Sequence, residues 1–315
     1  IPESLDPAIN AAALVRAFAL FAAPCVASLH VCAGFFSTPD ECELIARPVA
    51  DWLKARPDAE PEADDHPDTD EAGGGVTLPI IDPTLWEGLP IPPRSWHVEG
   101  LIPARTVTKL SGAGGEGKSL LALQLLAATA TGLRWLGREV TPGRALYLSA
   151  EDEADEVHRR LADIVREHDV TFGDLADLRI APLAGLDAVL AAPAGRNGQI
   201  AATPLWRALE ALVADFRPSI IVIDTLADAF AGDEINRVQA RQFIGLLRGL
   251  ALRHDCAVLI LSHPSLTGIA SGKGSSGSTG WDNSVRSALY LTRDEPRDGE
   301  APDPDLRVLK AVKAN

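Results

Sequence analysis

The sequence predicts an α/β protein built on a mainly parallel, twisted sheet, and three observations support this fold class. From about residue 94 onward, short apolar runs alternate with amphipathic segments of helical period. Two of the runs, 220–223 and 256–261, are apolar at every position, as is typical of strands covered on both faces. A glycine-rich loop at 112–119 connects a β-rich run to a helical segment, the order that a strand–loop–helix unit requires.

Length and composition restrict the architecture and the partners. The 315 residues are 46% hydrophobic and 23% charged, which suits one large domain with a small addition. The net charge of −15 argues against broad attraction to DNA or anionic membranes, so any contact with nucleic acid must use a local patch. Four scattered cysteines form neither a disulfide framework nor a zinc site, which favours a reducing, cytoplasmic location.

The chain divides into three predicted regions. Residues 1–57 combine helix-like and strand-like segments and predict a small N-terminal α/β piece of unknown role. Residues 58–93 are an acidic linker rich in Pro and Gly, with an acidic partner-binding arm as the alternative for 58–75. Residues 94–315 form the core domain. The apolar stretch 17–36 is interrupted by a proline and a histidine, so a buried helix and strand are preferred over a membrane span.

The elements of the core domain follow from apolar spacing and from helix end signals. Thr203 and Pro204 begin one helix, and Gly132 ends another. Strands are predicted at 105–110, 145–149, 220–223, 256–261, 285–292 and 306–312, and helices at 120–131, 154–167, 204–216 and 236–254. Because strands alternate with helices, the strands are expected to run parallel with helices on both faces of the sheet.

The segment 112–119 reads Gly-Ala-Gly-Gly-Glu-Gly-Lys-Ser and matches the pattern G-x-x-x-x-G-K-S/T in full. The glycines let backbone amides turn toward phosphate oxygens, and the following helix directs its positive end at the same anion. The Lys118 ammonium suits the β- and γ-phosphates of a nucleotide such as ATP. The predicted nucleotide-binding residues are Gly112, Gly114, Gly115, Glu116, Gly117, Lys118, Ser119 and Leu120.

A second segment predicts the metal ligands. Residues 220–223 are apolar and are followed by Asp224, so the carboxylate is expected at the end of a buried strand, beside the phosphate loop. Together with the Ser119 hydroxyl, Asp224 is the predicted ligand of Mg²⁺, directly or through water. A helix-capping role is the alternative for this aspartate.

The base that activates water is predicted at the end of the strand after the phosphate loop. A glutamate does not follow Asp224, because Thr225 occupies that position. Glu151 follows the strand 145–149 and is therefore the preferred residue to orient the attacking water. Asp152 and Glu153 compete for this role, and a solvated turn is the alternative for all three.

The ordered combination of these motifs resembles the RecA/DnaB-like P-loop ATPases over residues 94–315. Two further segments are similar to the plasmid RepA-type hexameric replicative DNA helicases: Gly-Trp-Asp-Asn-Ser-Val-Arg-Ser-Ala-Leu-Tyr-Leu at 280–291 and Val-Lys-Ala-Asn at 312–315. The resemblance implies a RecA-like core in which Lys118, Ser119 and Asp224 bind nucleotide and Mg²⁺ and Glu151 is catalytic. It leaves residues 1–93 unexplained.

The resemblance also implies roles that the motifs alone do not give. Arg286 resembles an arginine finger that reaches into a neighbouring subunit's site, and Lys313 the second basic residue beside it; the alternative for Arg286 is a surface ion pair. His263 fits a sensor of the γ-phosphate, with a purely structural histidine as the alternative. The Gly/Ser-rich segment 267–280 resembles a pore loop that grips single-stranded DNA, through residues such as Lys273, Ser275 and Ser276, with a disordered loop that has no partner as the alternative.

Taken together, these features predict an ATP-hydrolysing DNA helicase or translocase that forms a homo-oligomer, a hexameric ring by resemblance, and uses Mg²⁺. A primase or a replication initiator would be a further partner, and no membrane partner is expected. Two alternatives stay open. One is a RecA-like DNA-dependent ATPase without unwinding activity, acting as a loader, regulator or recombination accessory factor. The other is a small-molecule phosphotransferase that uses the same loop.

Overall fold

The computed structural model describes residues 78–195, 198–265, 279–294, 303 and 305–314. The chain divides into two compact units, 1–87 and 88–315. In the first unit, the described residues include a short 3₁₀ helix, Pro83–Trp86, whose first turn is capped by Asp82. The elements predicted within 1–57, and the apolar stretch 17–36, lie outside the described residues. No helix in the described parts of the chain has the length and apolarity needed to cross a membrane.

A seven-stranded sheet forms the centre of the second unit. Its order is β11-β10-β3-β9-β8-β4-β5, and every neighbouring pair is parallel except β10–β11. The predicted α/β fold with a mainly parallel sheet is therefore confirmed. The strands of the unit are β1 (Trp96–Val98), β2 (Ile102–Pro103), β3 (Val107–Gly112), β4 (Ala145–Ser149), β5 (Leu178–Pro182), β6 (Ala191–Ala194), β7 (Gln199–Ala202), β8 (Ile220–Asp224), β9 (Ala257–Ser262), β10 (Ser287–Arg293) and β11 (Arg307–Ala314).

Helices cover both faces of this sheet. They are α1 (Lys118–Thr131), α2 (Ala154–Glu167), α3 (Pro204–Phe216), α4 (Leu226–Ala229), α5 (Arg237–Arg253) and α6 (Thr279–Ser284). Because strand side chains alternate between faces, Ile220 and Val222 pack on the side of α1 and α2, whereas Ile221 and Ile223 pack on the side of α3 and α5. The wholly apolar runs of the sequence are thus the strands buried on both sides.

Parallel strands bring their ends together at two opposite edges of the sheet. At the carboxyl edge, β3, β4, β8, β9 and β10 end with Gly112, Ser149, Asp224, Ser262 and Arg293. At the amino edge the same strands begin. The antiparallel strand β11 starts at the carboxyl edge, where Arg307 pairs with Arg293, and ends at the amino edge, where Ala314 pairs with Ser287.

Several elements differ from the sequence-based expectation. The strand β5, the β6–β7 hairpin and the six-residue helix α6 were not expected, because short or alanine- and glycine-containing segments carry little periodicity. Helix α1 begins at Lys118, two residues before the predicted start, since the left-handed Gly117 directly precedes it. The other predicted helices and strands of the core domain are found with ends shifted by at most two residues, including the strand predicted at 105–110, which is observed as Val107–Gly112.

Candidate functional site

The phosphate loop occupies the turn between β3 and α1, and its glycines are required by geometry. Gly117 has φ of 90°, a left-handed conformation that other residues adopt only with strain, and it forms the N-cap of α1. A Cβ atom at Gly112 would lie 2.8 Å from the carbonyl oxygen of Leu291, so a side chain cannot fit between β3 and β10 there. The sequence therefore forces an open loop of backbone amides at the start of a helix.

The Lys118 side chain lies across the mouth of this loop. Its Nζ donates to the carbonyl oxygens of Gly112 at 2.8 Å and Ala113 at 3.0 Å. Burial lowers the pKa of Lys118, while the negative charges of Asp224, Glu151 and Glu116 oppose this shift. The ammonium is thus close enough to three carboxylates for their charges to act on it, which makes this end of the sheet a concentrated site of opposite charges.

Asp224 ends β8 beside the loop, and its two carboxylate oxygens have different surroundings. Oδ2 accepts a 2.6 Å hydrogen bond from the hydroxyl of Tyr147 on β4. Oδ1 is buried and has no hydrogen-bond partner among the described residues. Burial raises the pKa of Asp224, and the hydroxyls of Ser119 and Tyr147 oppose that shift. An unpartnered buried carboxylate oxygen next to a serine hydroxyl is an arrangement that a hard cation would satisfy.

The donors at this position fit Mg²⁺. Ser119 and Asp224 supply oxygen ligands, which Mg²⁺ prefers, and the rest of an octahedral shell can come from phosphates and water. Within the described residues there is no group of three or more His, Cys, Asp and Glu side chains able to hold a metal. A divalent ion here would therefore depend on a bound nucleotide for further ligands.

Glu151 and His263 meet at the same edge, on either side of β8. Glu151 follows β4 and His263 follows β9, and His263 Nε2 lies 3.5 Å from Glu151 Oε1. Both side chains are about half exposed, so they can reach a ligand bound at the loop. The neighbouring Asp152 is held differently, because its carboxylate forms a two-point ion pair with Arg160 on α2. The surroundings of Glu151 and Asp152 therefore differ, because only Asp152 is held by an arginine.

Glu116, within the phosphate loop, is clamped by the β10–β11 hairpin. Its carboxylate pairs with Arg293 Nε at 3.2 Å and with Arg307 Nε at 3.0 Å. The carboxylate is largely buried, with 10% of its side chain exposed. Arg293 and Arg307 face each other directly across the two strands, and the shared carboxylate offsets the repulsion expected between two like charges in that position.

Arg286 and Lys313 lie at the opposite, amino edge of the sheet. The backbone N–H of Arg286 donates to the carbonyl of Val107, the first residue of β3, and the phosphate loop starts five residues later at Gly112. At the rise of a β-strand this separation is about 16 Å. The Lys313 ammonium donates to the carbonyl oxygens of Val285 at 2.8 Å and Asp282 at 3.2 Å, and so secures the segment that leads into Arg286.

A buried ion pair also fixes the segment that leads into Arg286. Lys109 on β3 pairs with Asp282 on α6, and only 2% of the lysine side chain is exposed. Burial lowers the pKa of Lys109, and the charge of Asp282 opposes that effect. Trp281 is fully buried against the rings of Phe230 and Phe243. The helix before Arg286 is therefore anchored by packing and by charge.

The DNA-contacting residues predicted from the sequence, Lys273, Ser275 and Ser276, lie outside the described residues. The structure adds three side chains that the sequence analysis missed: Tyr147, Arg293 and Arg307. A signal existed for Tyr147, which precedes Ser149 by two positions and so shares its face of the strand, next to the strand ending in Asp224. No comparable signal existed for the two arginines, whose pairing depends on the register of a distant hairpin.

The geometry thus combines a loop of amides, a partly buried lysine, a serine–aspartate pair and a glutamate–histidine pair at one sheet edge. A family model described as AAA domain matches residues 80–268, which is more than half of the chain. This span includes the phosphate loop, both strands that bear the carboxylates, and His263. The chain belongs to this AAA domain family of P-loop ATPases.

Proposed function

We propose that this ATPase is a ring-forming DNA translocase, and that it moves along single-stranded DNA and separates strands by hydrolysing ATP at the interfaces between subunits. The nucleotide-binding part of the proposal rests on the family and on the loop geometry. The shared active site, the DNA track and the unwinding activity are the parts that go beyond them. Each is supported by different residues, and each has its own test.

In the proposed reaction, the phosphate-loop amides and Lys118 hold the β- and γ-phosphates of ATP. Ser119 and Asp224 would hold Mg²⁺, which when bound supplies positive charge to the phosphate oxygens. Glu151 accepts a hydrogen bond from the attacking water and orients it toward the γ-phosphorus. The water oxygen bonds to phosphorus as the bond to the β–γ bridging oxygen breaks, giving ADP and inorganic phosphate with release of a proton.

The different surroundings of Glu151 and Asp152 support Glu151 as the water-orienting residue. Its carboxylate acts on Lys118 electrostatically and is near His263, whereas Asp152 is committed to Arg160. His263 is placed so that a change at the γ-phosphate can alter its contact with Glu151. Residue 263 also precedes the Gly/Ser-rich segment 267–280, so this contact offers a route from hydrolysis to a DNA-binding loop, which we propose includes Lys273, Ser275 and Ser276.

The observation that carries the shared-site proposal is the position of Arg286. It lies about 16 Å along the sheet from its own phosphate loop, at the opposite edge, and its exposed guanidinium has no ion-pair partner among the described residues. An arginine in that place cannot stabilise a γ-phosphate bound in its own protomer. It is suited to the nucleotide of an adjoining protomer, and repetition of such a head-to-tail contact closes a ring.

The test measures ATP hydrolysis with and without single-stranded DNA, and then unwinding of a forked duplex. We expect DNA to stimulate hydrolysis and the forked substrate to be separated. Glu151→Gln should lower kcat by about 10²- to 10⁴-fold, whereas the matched control Glu153→Gln should leave kcat near the wild-type value.

The other outcomes contradict parts of the proposal. DNA-stimulated hydrolysis without unwinding would favour a RecA-like ATPase that acts as a loader or accessory factor. Hydrolysis that ignores DNA in a strictly monomeric protein would favour a small-molecule phosphotransferase.

A further inference from the structure

A basic cavity between α5, α6 and the start of β10 is not explained by nucleotide hydrolysis in the same protomer. It has a volume of about 600 Å³ and is lined by five cationic side chains, Arg237, Arg241, Arg248, Arg286 and Lys313. None of the described residues that line it is acidic. In a chain with a net charge of −15, five cations around one cavity are a marked local concentration of positive charge.

The arginines of α5 form a row along one face of the helix. Arg241 is four residues and Arg248 eleven residues beyond Arg237, so the three side chains are separated by nearly whole turns. At 1.5 Å per residue the row extends for about 16 Å. Arg237 and Arg241 are exposed and are in no ion pair with a described residue. Their charges are therefore available to an external anion.

Two further cations, Arg248 and Lys313, are held in place by backbone carbonyls and not by acids. Arg248 donates to the carbonyl of Ser284, and Lys313 donates to the carbonyls of Asp282 and Val285. These bonds position the side chains while leaving their positive charge uncompensated. The cavity is thus a preformed, positively charged surface. Because two of its side chains are already ordered, a ligand that binds there loses less side-chain entropy.

The length of the row indicates the class of ligand. Arg286 and Lys313 are sufficient for the γ-phosphate of one neighbouring nucleotide, and a row of about 16 Å on α5 extends beyond them. A ligand that matches it must carry negative charges at regular intervals along an extended chain. The phosphodiester backbone of a single nucleic-acid strand has this property, and guanidinium groups bind phosphates with two parallel hydrogen bonds.

We propose that this cavity binds the phosphate backbone of single-stranded DNA, with Arg237 and Arg241 of α5 as its main contacts. The cavity also includes Gly280 and Asn283 of α6, the helix that begins within the last two residues of the Gly/Ser-rich segment 267–280. The assignment of DNA as the polyanion rests on the proposed function, whereas the cavity and its charge do not.

The test is a fluorescence anisotropy titration of a labelled oligothymidylate with the full chain, without nucleotide, between about 50 and 200 mM salt. The double variant Arg237→Gln/Arg241→Gln should bind at least about tenfold more weakly than wild type. Its slope of log affinity against log salt should be shallower by about 1.4, because a single strand loses about 0.7 for each phosphate contact. Both side chains are exposed, so the thermal unfolding midpoint should be unchanged.

Arg253→Gln is the matched control, since it removes the same charge from the opposite face of α5, where Arg253 pairs with Glu210. It should keep the wild-type affinity and slope. Wild-type binding by the double variant would overturn the inference and leave the proposed function intact. Failure of wild type to bind the oligothymidylate would contradict both. Binding of a synthetic peptide of residues 58–71, which hold eight acids, in place of the oligothymidylate would overturn the nucleic-acid assignment.

Discussion

The two edges of the central sheet differ in how their positive charges are balanced. At the carboxyl edge, Arg293 and Arg307 share the Glu116 carboxylate, and Lys118 is surrounded by three acids. Arg286, at the amino edge, has no ion-pair partner among the described residues, and it lines a cavity with four other cations and no described acid. The arginines of the carboxyl edge are thus paired with an acid of the same chain, whereas those that line the cavity are in no ion pair with a described residue.

This difference suggests how one hairpin serves two sites. The β10–β11 hairpin has a basic pair at each end: Arg293 and Arg307 lie beside the chain's own phosphate loop, and Arg286 and Lys313 lie at the other end, with Arg286 about 16 Å along β3 from that loop. The first pair connects the hairpin to Glu116, and the second lies at the opposite edge of the sheet from the phosphate loop. A head-to-tail assembly would place the amino edge of one protomer against the carboxyl edge of the next.

Substitutions of the arginines at the two ends of β10 should give the largest difference in kcat. Arg286→Ala should lower kcat for ATP by about 10³- to 10⁵-fold, because a finger arginine stabilises charge only as the phosphoryl group is transferred. ATP affinity should change little. Steady-state kinetics with single-stranded DNA present would measure both quantities.

Arg293→Ala, on the same strand at the carboxyl edge, is the control. Glu116 keeps Arg307 as a partner in this variant, so we expect kcat within about tenfold of wild type. Equal losses of kcat in the two variants would remove the distinction between the edges.

The buried ion pair Lys109–Asp282 tests whether the amino edge is rigid. Asp282→Asn leaves the Lys109 ammonium buried without its carboxylate, which should cost about 3–5 kcal/mol of unfolding free energy. The thermal midpoint should fall by roughly 10 °C in a domain of this size. Asp163→Asn, which breaks an exposed ion pair with Arg166, should leave the midpoint unchanged. An equally small effect at Asp282 would show that the ion pair does not anchor α6.

Acidic pH should lower the free energy of unfolding by protonating a histidine that is packed against the phosphate-loop helix α1. His97 is buried against the Thr129 hydroxyl of α1, and burial lowers the pKa of His97 to about 4. The neutral imidazole contributes stability that is complete above its unfolded pKa of about 6.5 and is lost as pH falls toward 4. The loss approaches roughly 3 kcal/mol at the acidic end.

Denaturant titrations of wild type and His97→Gln at several pH values between 7 and 4 would measure this effect. The variant should show a flatter dependence of unfolding free energy on pH. Parallel curves for the two proteins would mean that another group causes the acid response.

Glu116→Gln should give the smallest effect. It removes a negative charge near the bound phosphates and releases two arginines toward them, so KM for ATP should fall by a few-fold. The value of kcat should change less than KM. An increase in KM would indicate instead that the clamp holds the phosphate loop in its binding conformation.

The sequence predicted the elements whose signals are local. Apolar runs identified the buried strands β8 and β9, and the motif around Lys118 identified the loop and placed the start of α1 to within two residues. The strand β5 was missed because it is the outermost strand of the sheet, with a neighbour on one side only, and its Leu178–Pro182 sequence is only partly buried.

The parts of the site that depend on register could not be predicted. The contact of Glu116 with Arg293 and Arg307 joins positions 177 and 191 residues apart. The basic cavity likewise joins α5 to Lys313, near the end of β11. The roles of Arg286 and Lys313 were predicted from resemblance alone, and they remain predictions. Their place at the far edge of the sheet is what gives those predictions a geometric basis.

The central claim is that each active site is built from two protomers, and mixing two inactive variants tests it most directly. Lys118→Ala removes the phosphate-loop lysine but keeps Arg286, and Arg286→Ala does the reverse. ATP hydrolysis measured after mixing the two proteins should exceed the sum of the separate activities, because an interface with both intact halves forms. Activity of the mixture no greater than that sum, in material shown by native mass measurement to form mixed oligomers, would contradict the account.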